Sequence, residues 1–291
     1  MAITRTEFDL LTLVECNGIN AVSAAQEGLK KELVQQGLLD TAGLTAAGYA
    51  ALEPYRVRRA IFLAAGFGVR MVPVTLDMPK PLVKVNGRRI IETLLDAVVA
   101  AGIEEIWIVR GYKGEQFDVL LEKYPNIRFV ENTDFDKSNN ILSAYLVRDK
   151  LRNAYVFESD LYLNNPSLLT KYQYESNYLG VPTAHSDDWC FLADDGGRIT
   201  RLGMGGDDCY HMFGIGYMDA QTGAELETDV AEVYETIPES HTHFWDDVAL
   251  VYHIDKYSIK IRPCSFDDVT EIDTLDELIA IDKQYAKYKN A

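Results

Sequence analysis

At 291 residues the chain has room for one large domain or a medium domain plus a small one, and its 47% hydrophobic and 25% charged residues are ordinary for a soluble globular protein. A net charge of −17 argues against a general nucleic-acid binder, and a polyanion such as a nucleoside triphosphate would need a local positive pocket and a divalent metal. No apolar run approaches the roughly 20 residues that span a bilayer, so no membrane insertion is expected, and an N-terminus without a leader pattern together with scattered Cys16, Cys190, Cys209 and Cys264 points to free thiols in a cytoplasmic protein.

Residues 1–55 read as a separate, mainly α unit. Thr4 to Glu15 has helical spacing through Phe8, Leu11 and Leu13, and Asn17-Gly18 stops it. Ser23 to Gln36 is a second helical stretch, Leu38 to Gly43 has the look of a short hairpin, and Leu44 to Leu52 is a last helix. This order suggests a small winged helix-turn-helix-like module. DNA binding is one reading of such a module. Arg5, Lys30 and Lys31 stand against Glu7, Asp9, Glu15, Glu27, Glu32, Asp40 and Glu53, however, and a recognition helix needs phosphate contacts. That balance favours a docking, dimerising or regulatory role; a dimerising module would make the protein a homo-oligomer.

Residues 56–291 read as the catalytic domain. Ala60 to Ala65 is an apolar run that fits a buried strand, and it empties into Gly66-Phe67-Gly68 and Arg70. A strand feeding a glycine loop presents unpaired N–H groups at the carboxyl end of a sheet, where α/β proteins bind phosphates. Ten residues on, Lys80 stands between Pro79 and Pro81, which fix its backbone. Loop, arginine and held lysine suit a triphosphate, although the spacing is neither that of a P-loop nor G-x-G-x-x-G.

From there strands and helices alternate. Helices are expected at 90–101, 113–124 and 139–150, and strands at 105–110, 127–130 and 154–158. This is the pattern of a Rossmann-like, mostly parallel, doubly wound sheet. After Asp160 the texture changes. Residues 190–194, 198–202 and 210–218 read as antiparallel strands, with Gly203 to Gly206 a turn. Helices follow at 220–234, 242–252 and 274–287, and strands at 259–262 and 269–272. The antiparallel part is expected to bind the acceptor.

Chemistry on a bound triphosphate needs charge neutralisation and in-line positioning more than covalent chemistry. Gly66, Gly68, Arg70 and Lys80 would supply the triphosphate loop and the cation. Asp160, at the end of the strand YVFESD, and Asp273, in Thr270-Glu271-Ile272-Asp273, are candidate Mg²⁺ ligands at strand ends, with a helix N-cap as the other reading of Asp273. Trp189 and Trp245, the latter followed by Asp246 and Asp247, could form an aromatic and acidic box for a quaternary ammonium, or could be core tryptophans. Asn132 and Asn139 could position the nucleotide or cap loops. His241 and His243 lack a partner at ligand spacing.

The run Leu63-Ala64-Ala65-Gly66-Phe67-Gly68-Val69-Arg70, followed by Pro79-Lys80-Pro81-Leu82, resembles the signature of the nucleotidyltransferases that make sugar nucleotides and related activated alcohols. Asn139 to Val147, the turn Glu158-Ser159-Asp160, the strand from Trp189, Phe244 to Asp247 and Thr270 to Thr274 are similar to the bacterial CTP:phosphocholine cytidylyltransferases. The resemblance covers Arg59 to Ile281. It implies CTP and phosphocholine as substrates, Mg²⁺ on Asp160 and Asp273, nucleotide contacts from Leu63, Ala64, Ala65, Gly66, Gly68, Arg70, Lys80, Asn132 and Asn139, and choline contacts from Trp189, Trp245, Asp246 and Glu271. The family's D-A-D is Glu158-Ser159-Asp160 here, which puts Glu158 in doubt as a ligand. A sugar-1-phosphate or phosphoethanolamine enzyme, or a ligand-sensing regulator acting through the first 55 residues, are the alternatives.

Overall fold

The computed structural model describes residues 2–289. The chain forms two compact units: Met1–Val57 with Lys171–Tyr174, and Arg58–Thr170 with Glu175–Ala291. The first unit thus takes in a four-residue segment from far along the chain, which no local pattern announces.

In the first unit, α1 (Arg5–Asn17) begins at a capping box, in which the Thr4 side chain accepts from the Glu7 N–H and Glu7 reaches back to the Thr4 N–H. Helices α2 (Glu27–Gln35) and α3 (Ala46–Leu52) follow. The hairpin expected at 38–43 is a single antiparallel bridge between Leu39 and Leu44. Leu10, Leu11, Leu33, Leu39, Leu52 and Tyr172 make the core. Tyr55 and Tyr174 stack beside it with centroids 5.3 Å apart.

The second unit is built on β1 (Arg59–Ala64), whose run RAIFLA is buried from Ala60 onward. The other elements follow in order: β2 (Lys84–Val85), β3 (Arg88–Arg89), α4 (Ile90–Ala100), β4 (Glu105–Arg110), β5 (Ile127–Glu131), α5 (Ile141–Leu146), β6 (Ala154–Glu158) and β7 (Leu161–Leu163). Then come β8 (Asn177–Ala193), β9 (Ile199–Met218), α6 (Ala220–Thr236), β10 (Lys260–Pro263), β11 (Val269–Glu271) and α7 (Leu275–Ile281). Among the described residues the main sheet has seven strands in the order β10-β8-β9-β6-β1-β4-β5. Pairing is parallel from β6 through β1 and β4 to β5, and antiparallel where β9 joins β6 and β8. The central strands β1 and β6 are apolar except for Arg59 at the start of one and Glu158 at the end of the other, as a covered parallel sheet requires.

Several expected elements come out differently, among them the helix expected at 113–124, which is a 3₁₀ segment over Gly114–Glu122. Gly203 to Gly206 is not a turn but lies within β9, which with β8 makes one long antiparallel pair with register shifts near Trp189. Glycines at such irregularities mark bulges rather than chain reversals. The helix expected at 242–252 is a 3₁₀ segment (Pro238–Thr242) and a π-helical turn (Val248–Tyr252), with irregular backbone between them. The terminal helix stops at Ile281, because Asp282 turns out of the helix and caps a 3₁₀ segment through the Gln284 N–H.

Candidate functional site

β1 ends at Ala64 and the chain turns through Gly66 and Gly68 over a cleft of about 470 Å³. Gly68 has φ +69°, and a Cβ there would lie 2.9 Å from the Lys80 Cβ, so only glycine lets the loop lie against the lysine. The Thr75 hydroxyl donates to the Gly68 carbonyl at 2.9 Å and fixes the loop from behind. Leu63, Ala64, Ala65, Gly66, Gly68, Arg70, Lys80, Asn132 and Asn139 all line this cleft, so the chain brings its expected nucleotide residues to one surface. Asn132 is nevertheless engaged, donating to the Ser143 hydroxyl at 3.1 Å and accepting from the Asp134 N–H at 3.1 Å.

Two strand ends deliver the carboxylates. The Ser159 hydroxyl donates to the Leu63 carbonyl at 3.0 Å, tying the turn after β6 to the end of β1. β11 pairs antiparallel with β7, setting Glu271 opposite Leu161, and the Ile272 N–H donates to the Asp160 carbonyl at 3.2 Å. Residues more than a hundred positions apart thereby converge. One carboxylate oxygen from each of Asp160, Glu271 and Asp273 lies within 4.8 Å of the others.

Lys80 Nζ donates to Asp160 at 2.9 Å and to Asp273 at 2.6 Å, and Arg70 pairs with Asp273 at 2.8 Å. Burial acts to lower the Lys80 pKa, but the two carboxylates outweigh it and the net shift is upward, so the ammonium stays charged. The other oxygen of Asp160, Oδ1, is buried without a hydrogen-bond partner. Hard oxygen donors in a cluster, one of them orphaned, fit a divalent cation of the Mg²⁺ type. Asp160 and Asp273 with Glu271 could hold it.

Beside the cleft lies a smaller cavity of about 50 Å³ whose lining includes Glu158, Asp188, Trp189, Phe244, Asp246 and Glu271. Among the described residues no lysine or arginine lines it. Trp189 and Phe244 meet edge to face with centroids 5.6 Å apart. Burial, then the Asp247 charge, pushes Asp246 up to about 7, and burial, then Asp160, Asp273 and Asp188, pushes Glu271 up to about 8. Glu158 is raised as well, first by burial and then by Asp160, Asp246 and Glu271. Lys80 offsets part of this for Glu158 and Glu271 from the cleft side, and the net shifts remain upward.

Trp245 does not belong to this cavity. It is 1% exposed, packed in the main core and stacked on Tyr178 at 6.2 Å, and the residue before it, Phe244, provides the aromatic wall. The irregular backbone at 243–247 lets consecutive side chains face in directions that no helical or strand period foretells. Asn139 lines the cleft and also ties a loop, the other reading the sequence leaves open. Its side-chain N–H donates to the Thr242 carbonyl at 3.2 Å and its backbone N–H to the His241 carbonyl at 2.7 Å. Asn140, absent from the sequence-based set, donates to Glu158 Oε1 at 3.1 Å and accepts from the Trp245 N–H at 2.8 Å. The Asn-Asn doublet at the start of α5 thus straps the cavity wall to the end of β6. Glu158, Asp188 and Phe244 also line the cavity; Glu158 and Phe244 stand in segments that carry the resemblance, whereas Asp188 has only the acid-rich texture around Trp189 to point to it.

Residues 59–173 match the family model described as Nucleotidyl transferase. The chain is 39% identical over 229 residues to a 2-aminoethylphosphonate cytidylyltransferase of Lancefieldella rimae, across 78% of this chain and 92% of that protein. It is 31% identical over 222 residues to a choline-phosphate cytidylyltransferase of Streptococcus pneumoniae, across 75% of this chain and 94% of that one. The solved structure of CTP:phosphocholine cytidylyltransferase from Streptococcus pneumoniae superposes with a TM-score of 0.72 at 28% identity, covering 79% of this chain and 99% of that one. The phosphate-type loop at the end of β1, the converging carboxylates and a 39% identical relative along most of the length say the same thing: the chain belongs to the nucleotidyl transferase family, alongside the cytidylyltransferases it resembles.

Proposed function

We propose that the protein transfers a cytidylyl group from CTP to a small acceptor with a phosphonyl or phosphoryl group at one end and a primary ammonium at the other, 2-aminoethylphosphonate being the leading candidate. The observation that carries the acceptor class is the cavity beside the cleft, which is lined by carboxylates and measures about 50 Å³. One water takes about 10–15 Å³ on this scale, so the space equals roughly three to five waters. An aminoethyl arm has three heavy atoms and fits; a trimethylammonioethyl arm has six. The 39% identity to a protein named for 2-aminoethylphosphonate supports the same choice.

In this reading an acceptor oxygen attacks the α-phosphorus of CTP, and the new P–O bond replaces the bond to the departing pyrophosphate. The N–H groups of the Gly66–Gly68 loop and the exposed Arg70 guanidinium hold the phosphates that leave. Lys80 offsets charge that develops on the α-phosphate. Mg²⁺, held by Asp160 and Asp273 with Glu271 in reach, would screen the two anionic reactants from each other when bound. Asp246 and Asp188 receive the ammonium, with Trp189 and Phe244 closing over its alkyl arm.

Phosphocholine is the second reading, favoured by the Trp189–Phe244 ring pair at the cavity wall, since ring faces attract quaternary ammonium groups. Pyrophosphate release decides. The four nucleoside triphosphates are tested with Mg²⁺ against 2-aminoethylphosphonate, phosphoethanolamine, phosphocholine and a sugar 1-phosphate. Turnover should require CTP, stop with a chelator, and show kcat/KM for 2-aminoethylphosphonate at least about tenfold above that for phosphocholine. The reverse order would install the second reading, and turnover of the sugar phosphate alone would remove both.

A further inference from the structure

Glu158 sits at the last residue of β6, and it lines both the nucleotide cleft and the small cavity. β6 and β9 pair antiparallel with Phe157 opposite Ile215, so the next residue on β9 beside Glu158 is Gly214. A Cβ on Gly214 would stand 2.5 Å from Glu158 Oε2, 2.6 Å from its Cγ and 2.7 Å from its Cβ. Real Cβ atoms do not approach that closely, so the glutamate lies across a space that exists because position 214 has no side chain. Asn140 donates to the other oxygen, Oε1, at 3.1 Å. The carboxylate is therefore held by an amide and lies against a bare strand.

The residues facing Glu158 in the cavity include Asp246 and Glu271, and no lysine or arginine among the described residues lines that space. Lys80 acts on Glu158 from the cleft side, so on the cavity side the held carboxylate is left to meet a cation brought by a ligand. We propose that Glu158, fitted against Gly214, is the specificity-determining residue of the acceptor cavity, accepting an N–H from a primary ammonium and excluding a quaternary one; this rests on the reading of the cavity as an ammonium site. A charge-assisted N–H···O bond brings nitrogen within about 2.7–2.9 Å of oxygen. A quaternary nitrogen has no hydrogen to give, and its methyl groups would need the volume that the extra methylene of glutamate takes up relative to aspartate.

Glu158→Gln keeps the volume and removes the charge, whereas Glu158→Asp keeps the charge and withdraws it by one methylene. Steady-state kinetics of both variants and the wild type with 2-aminoethylphosphonate and phosphocholine give the test. In Glu158→Gln, kcat/KM for 2-aminoethylphosphonate should fall about tenfold or more, chiefly through KM, while phosphocholine changes much less. In Glu158→Asp the preference for the primary amine should shrink by a similar factor because phosphocholine gains. Gly214→Ala, which pushes the carboxylate aside, should shift the ratio in the same direction. A loss equal for both acceptors would mark Glu158 as merely structural and overturn the assignment. If the wild type turns over neither ammonium acceptor, the ammonium reading itself falls and takes this assignment with it; a wild type that uses them with a ratio no variant moves sinks only the assignment.

Discussion

Asp246 is a buried carboxyl group that weakens the fold once it ionises. It is 3% exposed, Tyr178 donates to it at 3.3 Å, and burial with Asp247 alongside raises its pKa to about 7. The native protein therefore keeps a proton that the unfolded chain gives up near pH 4. Stability from this group is fully present below that value and is lost as the pH climbs through 7. Asn at this position does not titrate. Urea unfolding of Asp246→Asn should accordingly gain on the wild type between pH 4 and 8, by up to a few kcal/mol, while the KM for the acceptor worsens. A stability difference that ignores pH would show that Asp246 does not carry this load.

Among the elements, the start of α5 does the work that joins wall to floor. Asn140 spans Glu158 and the Trp245 N–H, two groups 87 residues apart (245 − 158 = 87) that no ladder connects. Removing it leaves a buried carboxylate and a backbone donor short of partners, each worth about 1–3 kcal/mol. Asn140→Ala should lose about 2–4 kcal/mol in urea unfolding and raise the acceptor KM about tenfold, with the KM for CTP little changed; equal changes in both KM values would contradict a strap confined to the acceptor side.

These elements also mark where the sequence was readable. The loop after β1, Lys80 between prolines, and Asp160 and Asp273 at or just past strand ends are legible locally, because each stands at a break that the glycines, prolines and apolar runs mark, and the fold brings them to one cleft. The cavity is not. Gly214, Met212 and Leu202 reach it through the long β8–β9 pairing, where the three glycines of residues 203–206 suggest a turn. Phe244 and Trp245 are neighbours on irregular backbone, so spacing could not say which ring faces inward. Glu158 stands where the resemblance has the first Asp of D-A-D, and the sequence does not show that the longer side chain lies against Gly214.

For the whole molecule, the division into units has a practical reach. Tyr172, 6% exposed, and the part-buried Tyr174 belong to the core and ring cluster of the first unit, although they lie on the chain between β7 and β8. A protein cut to residues 58–291 would bare both rings, each worth on the order of 2 kcal/mol in burial. That truncated chain should associate on size-exclusion chromatography where the full chain runs as a discrete species, and Tyr172→Ser with Tyr174→Ser should relieve it. A truncated chain that runs cleanly without those changes would mean the segment finds other cover. The backbone passes from one unit to the other at 57–58, again at 170–171, and back at 174–175. The front module is therefore no cassette: a recombination event that joined or removed it at one point in the gene would leave half of the bargain behind at 171–174, and inheritance must carry the two segments together.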